Sequence, residues 1–186
     1  MRVRPHVTRY LDSMGRALSA IGMTPAAMTA LGLAMVIAGS VLVATGRLVS
    51  GAWVIGVGSL LDGLDGAVAR AAGKVSARGA FLDSAFDRVG EIAAFAGLAF
   101  AMEGRARILL LIVLAVGGAM LVPYMRARAE AEGLDGTGGL MGRGERLLLF
   151  CSGLIFAFIE PMLWIFVVLV WLTAVTRFLR SYRSIE

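Results

Sequence analysis

Cysteine and histidine each occur once, as Cys151 and His6, and lysine only as Lys74. A single cysteine excludes an internal disulfide and any Cys-rich metal centre. A single histidine near the N-terminus excludes a His-based zinc site. Any metal must therefore be held by oxygen. Charged residues make up only 17% of the 186 positions, against about 25% in soluble domains. That scarcity argues against a disordered chain, a coiled coil or an ordinary soluble enzyme.

What fills the sequence instead is apolar. The hydrophobic share is 59% and the mean hydropathy is +0.83. These values predict an all-α, polytopic membrane protein. The net charge of +5 opens a nucleic-acid reading. However, 17 of the 18 basic residues are Arg lying between apolar runs, where membrane proteins carry their topology signal. No nucleic-acid partner is expected.

Residues 1–21 lack the continuous apolar core of a signal peptide. Val7, Tyr10, Leu11, Met14, Leu18 and Ile21 recur at helical spacing, with Arg9, Asp12 and Arg16 between them. This predicts an interfacial amphipathic helix. Residues 22–186 form the second unit, with six transmembrane helices. The expected spans are Met23–Gly46, Leu48–Arg70, Gly79–Met102, Ile108–Met125, Leu147–Ile159 and Met162–Thr176, the last continuing towards Tyr182. Several uncharged runs are shorter than the ~20 residues a bilayer requires, so they must extend through snorkelling Arg or charge buried against protein. Glu160 and Pro161 are expected to form the hairpin between the last two spans. The glycines of Gly133–Gly139 predict a loop. With six spans, 14 Lys or Arg fall on the side of both termini, and only Arg47, Arg105 and Arg107 on the other. The positive-inside rule then gives a multi-pass protein of the cell (inner) membrane with both termini in the cytoplasm.

Asp62, Asp65, Asp83, Asp87 and Glu91 sit in or at the edge of apolar helices. A charge at the centre of a membrane helix costs roughly 2.5–3.5 kcal/mol. Four unpaired aspartates would cost on the order of 10 kcal/mol. Arg70, Arg88 or bound cations are the available compensators. Asp62, Asp65, Gly66, Ala69 and Arg70 share one helical face; Gly79, Asp83 and Asp87 share another. The short segment between them makes the two helices antiparallel neighbours, so their carboxylates converge at the cytoplasmic end. Oxygen-only donors suit Mg²⁺ or Mn²⁺. Gly63, Gly66 and Gly79 leave room for a ligand to approach the backbone.

These residues match every fixed position of D-x2-D-G-x2-A-R-x8-G-x3-D-x3-D, over 26 residues from Asp62 to Asp87. The chain thereby resembles the CDP-alcohol phosphotransferase family. The resemblance implies a six-helix membrane enzyme, a homodimer, that moves a phosphoalcohol group from a CDP-linked donor to a hydroxyl and releases CMP. By position, Asp62, Asp65, Asp83 and Asp87 would hold two divalent ions, and Asp87 would also be the catalytic base. Asp65, Gly66, Arg70, Ser76 and Gly79 would contact the CDP-lipid. So would Ala26 and Thr29, since Thr24–Thr29 resembles the family's nucleotide-contacting turn. Ser84 lies off the Asp83 face, so direct displacement is expected rather than a seryl intermediate.

Tyr124-Met-Arg126-Ala-Arg128-Ala-Glu130, followed by Gly144-Glu145-Arg146-Leu147, is similar to the phosphatidylinositol phosphate synthase branch of that family. That likeness implies a phosphorylated polyol acceptor, inositol 1-phosphate, with its phosphate on Arg126, Arg146 and Arg177. Guanidinium groups match phosphate geometry. The donor would be a CDP-linked diacylglycerol or archaeol. Glycerol 3-phosphate is the alternative acceptor. Outside the family, a carboxylate-based cation transporter is the alternative reading.

Overall fold

The computed structural model describes residues 24–64, 66, 69, 70, 73 and 76–185. The expected amphipathic helix at 1–21 and Asp65 lie outside the described residues. Among the described residues the fold is all-helical, with six helices. They are α1 (Pro25–Ala44), α2 (Leu48–Asp62), α3 (Ala77–Ala101), α4 (Ala106–Ala131), α5 (Arg143–Ile155) and α6 (Ile159–Ser184). Three of them, α1, α4 and α6, are long and apolar enough to cross a membrane.

Local chemistry sets several of these ends. Thr24 caps α1 by accepting from Ala27 N, with Pro25 in the first turn, where its missing N–H costs nothing. Ser76 caps α3 by accepting from Gly79 N at 3.1 Å. Gly46 and Gly104, both at positive φ, turn the chain out of α1 and α3.

Three expectations are corrected. The second helix stops at Asp62 rather than running to Arg70, with Gly63 as its C-cap. The last hairpin turns at residues 156–158, where Ala157 has φ 56°. Glu160 and Pro161 instead belong to the first turn of α6, where proline is tolerated. The fourth helix continues past Met125 to Ala131 through Pro123. Arg126–Glu130 and Arg128–Glu132 pairs at i,i+4 support that polar extension.

A further difference concerns packing. The two motif helices are not neighbours along their length. α1 packs against both α2 and α3 and lies between them. The α1–α2 contact runs over glycine: a Cβ on Gly39 would lie 2.9 Å from Gly51 O. Only at their ends do α2 and α3 bring carboxylates together. α4 packs on α6, and α5 contacts both α2 and α6. Phe95 of α3 meets Phe150 of α5 edge-on at 4.9 Å and Phe166 of α6 at 5.1 Å. This junction joins the two helix groups in a core that includes Leu98, Leu111, Leu154 and Met162. The outer faces are apolar too, with Trp53, Leu60, Phe100, Leu110 and Trp164 exposed.

Candidate active site

Asp62 is the last residue of α2 and is buried. Asp83 and Asp87 stand one turn apart on α3. One carboxylate oxygen from each of the three lies within 4.8 Å of the others. α1 positions the cluster, because Gly32 has no side chain there. A Cβ on Gly32 would lie 2.7 Å from Asp62 Cβ and 2.8 Å from Gly58 O.

The residues fit a divalent cation. Three hard oxygen donors converge, and the buried Asp62 Oδ1 accepts no hydrogen bond. That is an acceptor with nothing to offset its desolvation until a cation arrives. Arg143, the first residue of α5, places Nη2 2.5 Å from both Asp62 Oδ2 and Asp87 Oδ1. The charge chain continues from Asp87 to Arg88 (3.5 Å), from Arg88 to Glu91 (3.6 Å) and from Glu91 to Arg146. The motif alone could not reveal Arg143, which is 81 positions from Asp62. Its only signal in the sequence is its place in the run of arginines Arg126, Arg128, Arg143 and Arg146.

Beside the cluster lies an open groove of about 860 Å³. Ala26, Thr29, Gly66, Arg70, Ser76 and Gly79 all line it, and Asp83 stands at its edge. Every described residue expected to contact the CDP-lipid is therefore in one place. The groove receives the N-termini of both α1 and α3, whose amide dipoles favour an anion. Arg70 and Arg78 add positive charge. Arg78 is a lining residue that the motif did not mark.

The three arginines expected at the acceptor phosphate are placed differently. Arg126, Arg146 and Arg180 are near enough for their charges to act on Arg177. Arg126 pairs with Glu130 on an exposed face. Arg177 donates to the backbone oxygens of Gly138 and Val122, both at 2.8 Å. Arg146 is 3% exposed. It grips Glu91 through Nε and Nη2 and donates from Nη1 to Met141 O. All three of its nitrogens are thus engaged inside the protein. The glycine loop after α4 closes over this quarter: Met141 N donates to Thr173 Oγ1, and Arg180 donates to Thr137 O. Within the loop, hydrogen bonds from Thr137 hold the Asp135 carboxyl below its usual range.

Residues 22–179 match the CDP-alcohol phosphatidyltransferase family. The chain belongs to that family. Across its whole length it is 31% identical to an archaetidylinositol phosphate synthase of Pyrococcus horikoshii, covering 97% of that relative. Two crystal structures of Mycobacterium tuberculosis phosphatidylinositol phosphate synthase are also similar. One, with CDP-DAG bound, has a TM-score of 0.83 at 34% identity, over 94% of both chains. The other, in complex with manganese and citrate, has a TM-score of 0.84 at 31% identity, over 92% of this chain and 88% of that one. Among the described residues, the signature's Asp62, Asp83 and Asp87 lie in the carboxylate cluster, and its Gly66 and Gly79 line the groove.

Proposed function

We propose that this protein makes a phosphoinositide-type lipid phosphate. It transfers the phosphatidyl or archaetidyl group of a CDP-lipid to the hydroxyl of inositol 1-phosphate and releases CMP. The observation that carries this reading is the groove. Residues far apart in sequence, from Ala26 to Gly79, line one basic groove, with Asp83 of the carboxylate cluster among its walls. The donor's diphosphate lies there against the two helix N-termini, Arg70 and Arg78. Asp62, Asp65, Asp83 and Asp87 would hold two Mg²⁺ or Mn²⁺ ions. When bound, the ions polarise the diphosphate and offset charge on the departing CMP.

Asp87 takes the acceptor's hydroxyl proton as its oxygen attacks the lipid-bearing phosphorus. The bond from that phosphorus to the CMP oxygen breaks, and CMP leaves with the electron pair. Arg126 and Arg177 receive the acceptor's phosphate. Arg177's partners are neutral carbonyls and Arg126's is an exposed carboxylate, so neither guanidinium is strongly neutralised. Arg146, balanced by Glu91, stands behind them. The six helices cross the inner membrane, with the site facing the cytoplasm and the chain paired as a homodimer.

A CMP-release assay with CDP-diacylglycerol and Mg²⁺ tests this against inositol phosphate, glycerol phosphate, inositol and serine. Release with inositol phosphate supports the proposal. Release with glycerol phosphate alone reassigns the acceptor. With the assay run on both CDP-diacylglycerol and CDP-archaeol, an absence of metal-dependent release with every acceptor refutes the proposed transfer.

A further inference from the structure

Three helices meet at one guanidinium. Asp62 closes α2, Asp87 lies on α3 and Arg143 opens α5. Arg143 Nη2 touches both carboxylates. With Asp83, these are also the carboxylates whose oxygens converge closely enough to share a cation. A guanidinium and a divalent ion therefore compete for the same oxygens. An ion held by these carboxylates would meet the positive charge of that guanidinium, which opposes its binding while Arg143 stays in place.

Arg143 has the freedom to yield and Arg146 does not. The Arg143 side chain is 39% exposed, against 3% for Arg146. Arg143 begins its helix directly after the glycine loop, and Gly142 supplies no side-chain cap. The next residue, Gly144, has open space around it: nothing lies within 4 Å of a Cβ placed there. The partly exposed Arg143 side chain can therefore turn away while Met141 and Arg146 hold this end of α5 in place.

We infer that Arg143 is a built-in competitor for the metal. It ties α2, α3 and α5 together before the ion binds and withdraws from Asp62 and Asp87 when it does. The inference rests on the metal-site reading proposed above. If the tie is closed about nine-tenths of the time, the apparent metal affinity is about tenfold weaker than that of the open site.

The test measures Mn²⁺ binding to the detergent-purified full chain, by the electron paramagnetic resonance signal of unbound Mn²⁺. Arg143→Gln should bind Mn²⁺ about tenfold more tightly than the parent. Without metal it should also melt at a lower temperature. Arg128→Gln removes the same charge at an exposed pair on α4 and should change neither value. Arg143→Lys keeps the positive charge on a shorter side chain, whose single nitrogen reaches the two carboxylates less well. It should show a smaller tightening, and it covers the case in which the glutamine variant does not fold. Folded Arg143 variants that bind no more tightly than the parent overturn the inference and leave the metal reading intact. Equal tightening in Arg128→Gln also overturns it, because net charge alone would then explain the effect. A parent protein that binds no Mn²⁺ overturns both readings together.

Discussion

Gly32→Ala tests whether α1 positions the carboxylates. The added methyl would lie 2.7 Å from Asp62 Cβ and 2.8 Å from Gly58 O, where ordinary contacts are 3.4–4 Å. Neither neighbour is the tip of a flexible side chain, so α2 must move away by about 1 Å at its last turn. Overpacking of this kind costs about 1–3 kcal/mol of stability. A misplacement of about 1 Å at a reacting centre costs on the order of 10²-fold in rate. Gly39→Ala is the matched control. It sits seven residues further along α1, and its methyl meets Ile55 Cγ1 at 2.8 Å and Gly51 O at 2.9 Å. Its overpacking is comparable and lies two turns from the carboxylates. Thermal melting should show similar losses for the two variants. CMP release should fall about 10²-fold for Gly32→Ala and much less for Gly39→Ala. Equal activity losses at equal stability would refute the positioning argument.

Four further outcomes are expected. Arg146→Ala leaves Glu91 without its buried partner and should destabilise the protein by about 3–5 kcal/mol, measured by thermal melting; pairing it with Glu91→Gln should recover part of that loss. Arg126→Ala and Arg177→Ala should instead raise the KM for inositol phosphate with little change in that for the CDP-lipid, as steady-state CMP release would show. Arg70→Ala should do the reverse and raise the KM for the CDP-lipid alone. Asp87→Asn should abolish turnover, and chelation with EDTA should stop the parent enzyme until Mg²⁺ or Mn²⁺ is restored; turnover that persists in either case contradicts the assigned roles.

The aspartate spacing was legible because a helix repeats every 3.6 residues. It placed Asp83 and Asp87 on one face of α3, and their oxygens do converge with one from Asp62. The same periodicity carries no information about partners beyond the helix, so Arg143 was not marked. It also misled at Asp62, where a continuous face to Arg70 was expected and Gly63 ends the helix. The polar end of α4 was readable in principle from its i,i+4 charge pairs. It was missed because the apolar run stops at Met125. The wedge of α1 between the motif helices depends on backbone approach at glycine. Hydrophobic pattern does not encode that approach.

The edge-on stack of Phe95 with Phe150 and Phe166 has a consequence for reach. The groove proposed for the donor is lined by the N-terminal ends of α1 and α3 together with Gly66, Ala69 and Arg70, whereas the arginines proposed for the acceptor belong to α4 and α6. The aromatic stack spans the division between those groups. Erosion of it would leave each substrate's own seat intact and lengthen the gap that the attacking oxygen must cross.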